Sequence, residues 1–101
     1  METAFATESA PSLAAIWQRV VRPDKPTFTP EAAREILKLD FDHEARRRIS
    51  ELSAKSGENA LSDGERKELE RYVEVNDVLI LLQSKARLSL TKAGLKPPRR
   101  A

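Results

Sequence analysis

The spacing of apolar residues along the chain predicts helices and no strands. Between residues 13 and 21 they recur at i, i+3, i+4 and i+7, the spacing of one helix face, and no segment alternates with period two over the length of a strand. We therefore predict an all-α fold in which three short helices pack on one long C-terminal helix. The helical domain is expected over residues 12–91, between a disordered tail over residues 1–11 and a basic flexible tail over residues 92–101.

Capping residues mark where each of the four helices begins. A serine, threonine or aspartate stands just before each periodic segment, where its side chain can accept a hydrogen bond from a free backbone N–H. The last of them opens an S-x-x-E capping box. The predicted helices end before residue 23, near residue 39, at Gly57 and near residue 90. The four predicted caps are Ser12, Thr29, Asp42 and Ser62.

The long helix carries an apolar seam that contains two polar residues, Asn76 and Gln83. They are seven positions apart, and polar residues at such core positions can fix the register of two paired helices. Residues 78–82 are apolar on every side of the helix, so we expect this segment to be buried from several directions. The seam either packs on the first three helices or meets another molecule, and the few large apolar groups of those helices favour another molecule. The apolar members of the seam are Leu69, Tyr72, Val73, Leu79, Ile80, Ala86 and Leu90.

Composition and charge exclude several functional classes. The chain of 101 residues has no cysteine, which rules out a disulfide, a thiol nucleophile and a cysteine-ligated zinc site. Its first residues lack the basic and apolar regions of a signal peptide, and the apolar run over 78–82 is far shorter than the roughly 20 residues that cross a bilayer. We therefore expect a cytoplasmic protein. The net charge of +2 is unevenly distributed: residues 57–77 carry seven acids and three bases, whereas residues 84–101 carry six bases and no acid.

No constellation of residues predicts catalysis or a cofactor. His43 is the only histidine, and none of its acidic neighbours Asp40, Asp42 and Glu44 lies four positions from it, the spacing that metal ligands on one helix need. Acids at the positive end of a helix dipole explain this segment better. The three glycines are isolated, so there is no phosphate-binding loop, and no serine or carboxylate pair stands out. We expect a protein that is not an enzyme and that has no small-molecule substrate.

The basic C-terminal residues form an alternative, nucleic-acid-binding site. Such a tail would bind with a strong dependence on salt and without sequence preference. Against this alternative, the chain lacks the aromatic platform of single-strand binders, and the acidic stretch would repel a phosphate backbone. The arginines at 46–48 are better explained as the solvated face of the third helix. The residues of this alternative site are Lys92, Lys96, Arg99 and Arg100.

The segment from Leu61 to Leu90 resembles a family of short uncharacterised bacterial helical proteins. The shared features are an opening Leu-Ser-x-x-Glu, the acidic Glu-Leu-Glu-Arg-Tyr over 68–72, and the closing Leu-Gln-Ser-Lys-Ala-Arg over 82–87. Thr29-Pro-Glu-Ala-Ala and Leu39-Asp-Phe upstream are also similar, so that the resemblance extends from Pro26 onwards. Genes of this family often lie beside a gene for a small HNH-type nuclease, which implies an antitoxin-like or immunity-like partner. The family has no assigned catalytic residues.

Our principal hypothesis is a non-catalytic module that binds another protein, such as a nuclease. An acidic face of the long helix would then compete with nucleic acid for a basic groove, and polar residues further along the helix would anchor its other end. The alternatives are the nucleic-acid binder above and a structural helical homodimer. The predicted partner-binding residues are Glu65, Glu68, Glu70, Glu74, Asn76, Gln83, Lys85 and Arg87.

Overall fold

A computed structural model describes residues 10–97, and within them the chain forms four helices and no strand. The helices are α1 (Leu13–Val21), α2 (Pro30–Ile36), α3 (His43–Gly57) and α4 (Asp63–Lys92). The predicted all-α fold of three short helices on one long C-terminal helix is confirmed. Of the predicted tails, residues 1–9 and 98–101 lie outside the described residues, and the described part of the C-terminal tail begins with Lys92, the last residue of α4.

Every helix begins at the predicted capping side chain. The Asp42 carboxylate accepts from the Ala45 N–H at 2.8 Å, and the caps of α1 and α2 accept in the same way at 3.1 Å. At the start of α4, the Ser62 hydroxyl accepts from the Glu65 N–H at 3.1 Å, while the Glu65 carboxylate accepts from the Ser62 N–H at 3.0 Å. These bonds involve only residues three apart, which is why sequence alone predicts them.

The ends of α2 and α4 differ from the predicted positions, whereas α3 ends where predicted. Helix α2 stops at Ile36, not near residue 39, because the next two residues form a turn in which the Leu39 N–H bonds to the Ile36 carbonyl. Helix α3 does end at Gly57, but the left-handed backbone conformation beyond it belongs to Asn59, with φ 58°. Helix α4 continues to Lys92, and Gly94 at φ 79° lets the Leu95 N–H bond back to the Leu90 carbonyl.

Helix α4 is the spine of the molecule. Within the described residues each short helix packs on α4 and on neither of the others. Helix α3 lies against the N-terminal half of α4, whereas α1 and α2 lie against the C-terminal half. The extents of 47 × 45 × 16 Å show a flat arrangement, since one helix is about 10–12 Å across. The radius of gyration is 17.1 Å, against about 13 Å for a compact domain of this length.

The core is small because a flat layer has few positions covered on all sides. Its centre lies where α2 crosses α4, where Ala33, Ala86 and Leu90 are buried and Phe28, Ile36 and Leu37 pack around them. Leu52 of α3 and Val21 of α1 are the other buried apolar residues of the described chain. We predicted that the segment 78–82 would be buried from several directions, and this prediction is wrong. Four of its residues are half-buried and Ile80 is 49% exposed. Helices approach this segment from some sides only.

Candidate partner-binding surfaces

The four glutamates predicted to form one acidic surface divide into two pairs. Glu65 and Glu68 point towards α3, where Lys55 Nζ lies 2.5 Å from Glu65 Oε2 and the Arg48 guanidinium donates to both Glu68 oxygens at 2.8 and 2.9 Å. These two residues are therefore half-buried and paired within the chain, and their predicted role in partner binding stays a prediction. They hold α3 against α4.

These salt bridges also set the acidity of both carboxyl groups. The hydrogen bond from the Lys55 ammonium, followed by the bond from the Ser62 backbone, lowers the pKa of Glu65 to about 2. The Arg48 guanidinium lowers the pKa of Glu68 from its usual value in the same manner. Both glutamates thus stay ionised over the physiological range of pH.

Sequence contains a signal for these bridges that the helix-by-helix prediction missed. A short loop between two helices makes them antiparallel neighbours, so residues at similar distances on either side of the loop face each other. Lys55 and Glu65 lie five residues either side of Ala60, and Arg48 and Glu68 lie similarly about Glu58. Opposite charges at such positions predict an interhelical bridge. We had expected Arg48 to lie on a fully solvated face, whereas it is paired with Glu68 across the two helices.

The second pair of glutamates remains open to a partner. Glu70 and Glu74 are exposed, Asp77 follows one turn later, and no ion pair to any of the three occurs within residues 10–97. The spacing i, i+4, i+7 places them on one side of α4. We call these three residues the acidic strip. Val73 and Ile80 border the strip and are 51% and 49% exposed.

A groove between α3 and α4 adjoins the acidic strip. Its lining includes Val73 and Asn76 from α4 and Ile49 from α3. Phe41 and Tyr72 also line this groove, and their rings pack edge to face with centroids 5.9 Å apart. Asn76 is exposed beside this groove, so the predicted polar position in the seam is open to a partner.

Gln83 is buried, 6% exposed, and its amide nitrogen donates within the chain. Nε2 donates at 3.2 Å to the carbonyl of Ile36, the last residue of α2, and at 2.9 Å to the carbonyl of Leu39 in the turn that follows. The Ile36 carbonyl also accepts from the Leu39 N–H, so the amide caps the end of α2 together with this turn. The heptad step from Asn76 to Gln83 therefore reflects an intrachain bond at Gln83.

Lys85 is also buried, 8% exposed, and it caps α1. Its ammonium donates to the Val21 carbonyl at 2.6 Å and lies 4.7 Å from the centre of the Phe28 ring. One turn later the Ser89 hydroxyl accepts from the Phe28 N–H at 3.1 Å and donates to the Lys85 carbonyl at 2.8 Å. We call Gln83, Lys85 and Ser89 the polar anchor. Gln83 and Lys85 are buried and hold helices of the same chain together, and their predicted partner binding stays a prediction.

The remaining predicted residues lie towards the C-terminal end of α4 and beyond it. Arg87 is half-buried, whereas Lys92 and Lys96 are exposed. The two terminal arginines of the nucleic-acid alternative, Arg99 and Arg100, lie outside the described residues. That alternative stays a prediction.

A second uncovered surface lies on α1. Leu13, Ile16, Trp17 and Val20 are 47%, 48%, 38% and 69% exposed, and we call these four residues the α1 face. Periodicity correctly predicted that they share one side of the helix. It did not predict that Val21 alone among the apolar residues of this side would be buried.

Within residues 10–97 no group of three or more histidine and acidic side chains is arranged to hold a metal ion. None of the described helices has the length and apolar character that a membrane span requires. No protein-family model, curated protein or solved structure matches the chain. The two surfaces themselves are therefore the basis for any conclusion about function.

Proposed function

We propose that this protein is a non-catalytic interaction module that binds a basic groove of a partner protein through the acidic strip. The observation that carries the proposal is the juxtaposition, on one side of α4, of two half-exposed apolar side chains and three acids that form no ion pair within residues 10–97. The family resemblance suggests a nuclease as that partner and an antitoxin-like or immunity-like role for this chain. The strip would then occupy the groove in place of nucleic acid.

The apolar and the acidic side chains of this surface would contribute to binding in different ways. Covering a half-exposed Val73 or Ile80 contributes about 1 kcal/mol each, half of the 1.5–3 kcal/mol for burying a whole apolar side chain. The three carboxylates contribute little net affinity at the solvated rim of an interface, but they accelerate encounter and reject acidic partners. Association should therefore slow markedly as added salt screens the charges.

The test uses the product of the neighbouring gene, which the resemblance predicts to be an HNH-type nuclease. Association and dissociation rates are measured by surface plasmon resonance, and DNA cleavage is followed with and without this chain. The double substitution Glu70→Lys and Asp77→Lys should slow association and abolish protection of the DNA. The matched control is Glu58→Lys, an exposed acid at the end of α3, which should bind like the unmodified chain.

The pair Val73→Ser and Ile80→Ser tests the apolar half of the surface. Both side chains are half-exposed, so the fold should tolerate the changes while dissociation from the partner becomes faster. Unchanged binding after the charge reversal would overturn the proposal. Equal losses in the Glu58 control would show a general charge effect and would overturn it as well.

A further inference from the structure

The α1 face exceeds what α4 covers. Helix α1 packs on α4 at one edge of its apolar side, where Val21 is buried, while the other four apolar residues remain 38–69% exposed. Between α1 and α4 lies an apolar groove, to which Leu13 and Trp17 contribute from α1 and Val75 contributes from α4. Val75 is itself 55% exposed, so the uncovered surface continues from one helix to the other.

We propose that a second copy of this chain covers the α1 face, with the two α1 helices antiparallel across a two-fold axis. The spacing i, i+3, i+4, i+7 forms a stripe that is its own complement when one helix is reversed. Ile16 and Trp17 would lie nearest the axis, and Leu13 of each copy would lie near Val20 of the other. The helix dipoles would also oppose each other favourably in this orientation.

The area is sufficient for a weak, specific dimer. Five side chains that expose on the order of 100 Å² each give about 500 Å² per copy, or about 1,000 Å² in total, near the lower limit for biological interfaces. At that size we expect a dissociation constant in the micromolar range. Because this surface differs from the part of the acidic strip formed by Glu70 and Asp77, self-association and partner binding can fail independently.

The first measurement is sedimentation of the full chain across the micromolar range. The mass should rise with concentration from 11.4 kDa towards twice that value. Ile16→Glu and Val20→Glu should each weaken association by about tenfold or more, since hot-spot residues near the axis dominate such interfaces. Leu39→Glu is the matched control, because Leu39 is 50% exposed on a different part of the molecule.

The absence of cysteine allows a second measurement that does not depend on a destabilising charge. Ile16→Cys should form an intermolecular disulfide readily under mild oxidation, whereas Leu39→Cys should not. A chain that stays at 11.4 kDa at every concentration would overturn the proposal. If Trp17 of that monomer were also shielded from a fluorescence quencher, the occupant of the α1 face would be the chain's own N-terminal residues and not a second copy. A dimer that is insensitive to both glutamate substitutions would also overturn it, since its interface would lie elsewhere.

Discussion

Replacing Gln83 by methionine tests whether the polar anchor stabilises the fold. Methionine has nearly the volume of glutamine and fits a helix equally well, so that the substitution removes chiefly the amide. The lost bonds are those to the Leu39 and Ile36 carbonyls at 2.9 and 3.2 Å. A third carbonyl, that of Leu37 at 3.5 Å, is too distant to contribute much.

The magnitude follows from two opposing effects. Two neutral hydrogen bonds contribute about 2 kcal/mol together, and the Leu39 carbonyl, left without this donor in a part-buried site, costs a further ~1–2 kcal/mol, the lower part of the range for buried groups. Burial of the thioether in place of the amide returns about 1 kcal/mol. We therefore expect Gln83→Met to lower the free energy of unfolding by about 2–3 kcal/mol, which corresponds to a fall in Tm of roughly 10–20 °C.

The assay is urea unfolding followed by far-ultraviolet circular dichroism, with thermal melts in parallel. Gln18→Met is the matched control, because Gln18 is an exposed helical glutamine and its substitution should change stability by less than about 0.5 kcal/mol. If Gln83→Met were as stable as the unmodified chain, the Ile36 and Leu39 carbonyls would not need the amide. The structural role that we assign to Gln83 would then be refuted.

Three further substitutions test other parts of the structure. Lys85→Met should destabilise by about 1–3 kcal/mol in thermal melts, through loss of a charged hydrogen bond and a cation–π contact, and equal or greater stability would refute the capping role. Leu52→Ala should cost about 2–5 kcal/mol in urea unfolding because Leu52 is fully buried, whereas Leu39→Ala should cost under 1 kcal/mol. For Glu65, whose pKa falls from 4.5 to about 2 on folding, the stabilisation is present above pH 4.5 and is lost as pH falls towards 2. Urea midpoints should therefore decline less on acidification in Glu65→Gln, and parallel pH profiles would contradict the bridge to Lys55.

Local features of this fold were predictable from sequence, because each depends on a few neighbouring residues. The four caps are the clearest example, since each requires only a short polar side chain and a backbone N–H three positions later. The buried Ala86 and Leu90 followed equally from periodicity, because a helix that packs at all must bury its apolar side.

The surfaces were harder to predict, because they depend on the directions from which three helices approach α4. A polar residue in an apolar seam can face a second chain or cap a neighbouring helix, and Gln83 has the same spacing in either case. The open acids could not be separated from the bridged ones without the antiparallel placement of α3, which brings Arg48 to Glu68. Exposure of the α1 face likewise depends on the angle at which α1 docks.

The spine-like role of α4 determines how the molecule opens. Since α4 is the one helix that α1 contacts in the described part of the chain, α1 can detach as a unit while α2 and α3 keep their contacts with α4. Amide protons in α1 should consequently exchange with solvent through this partial opening, well before those of the α2–α4 crossing. Such an event would also leave the Lys85 ammonium without its carbonyl acceptor beside the Phe28 ring, so reclosure of α1 is favoured electrostatically as well as by the burial of Val21.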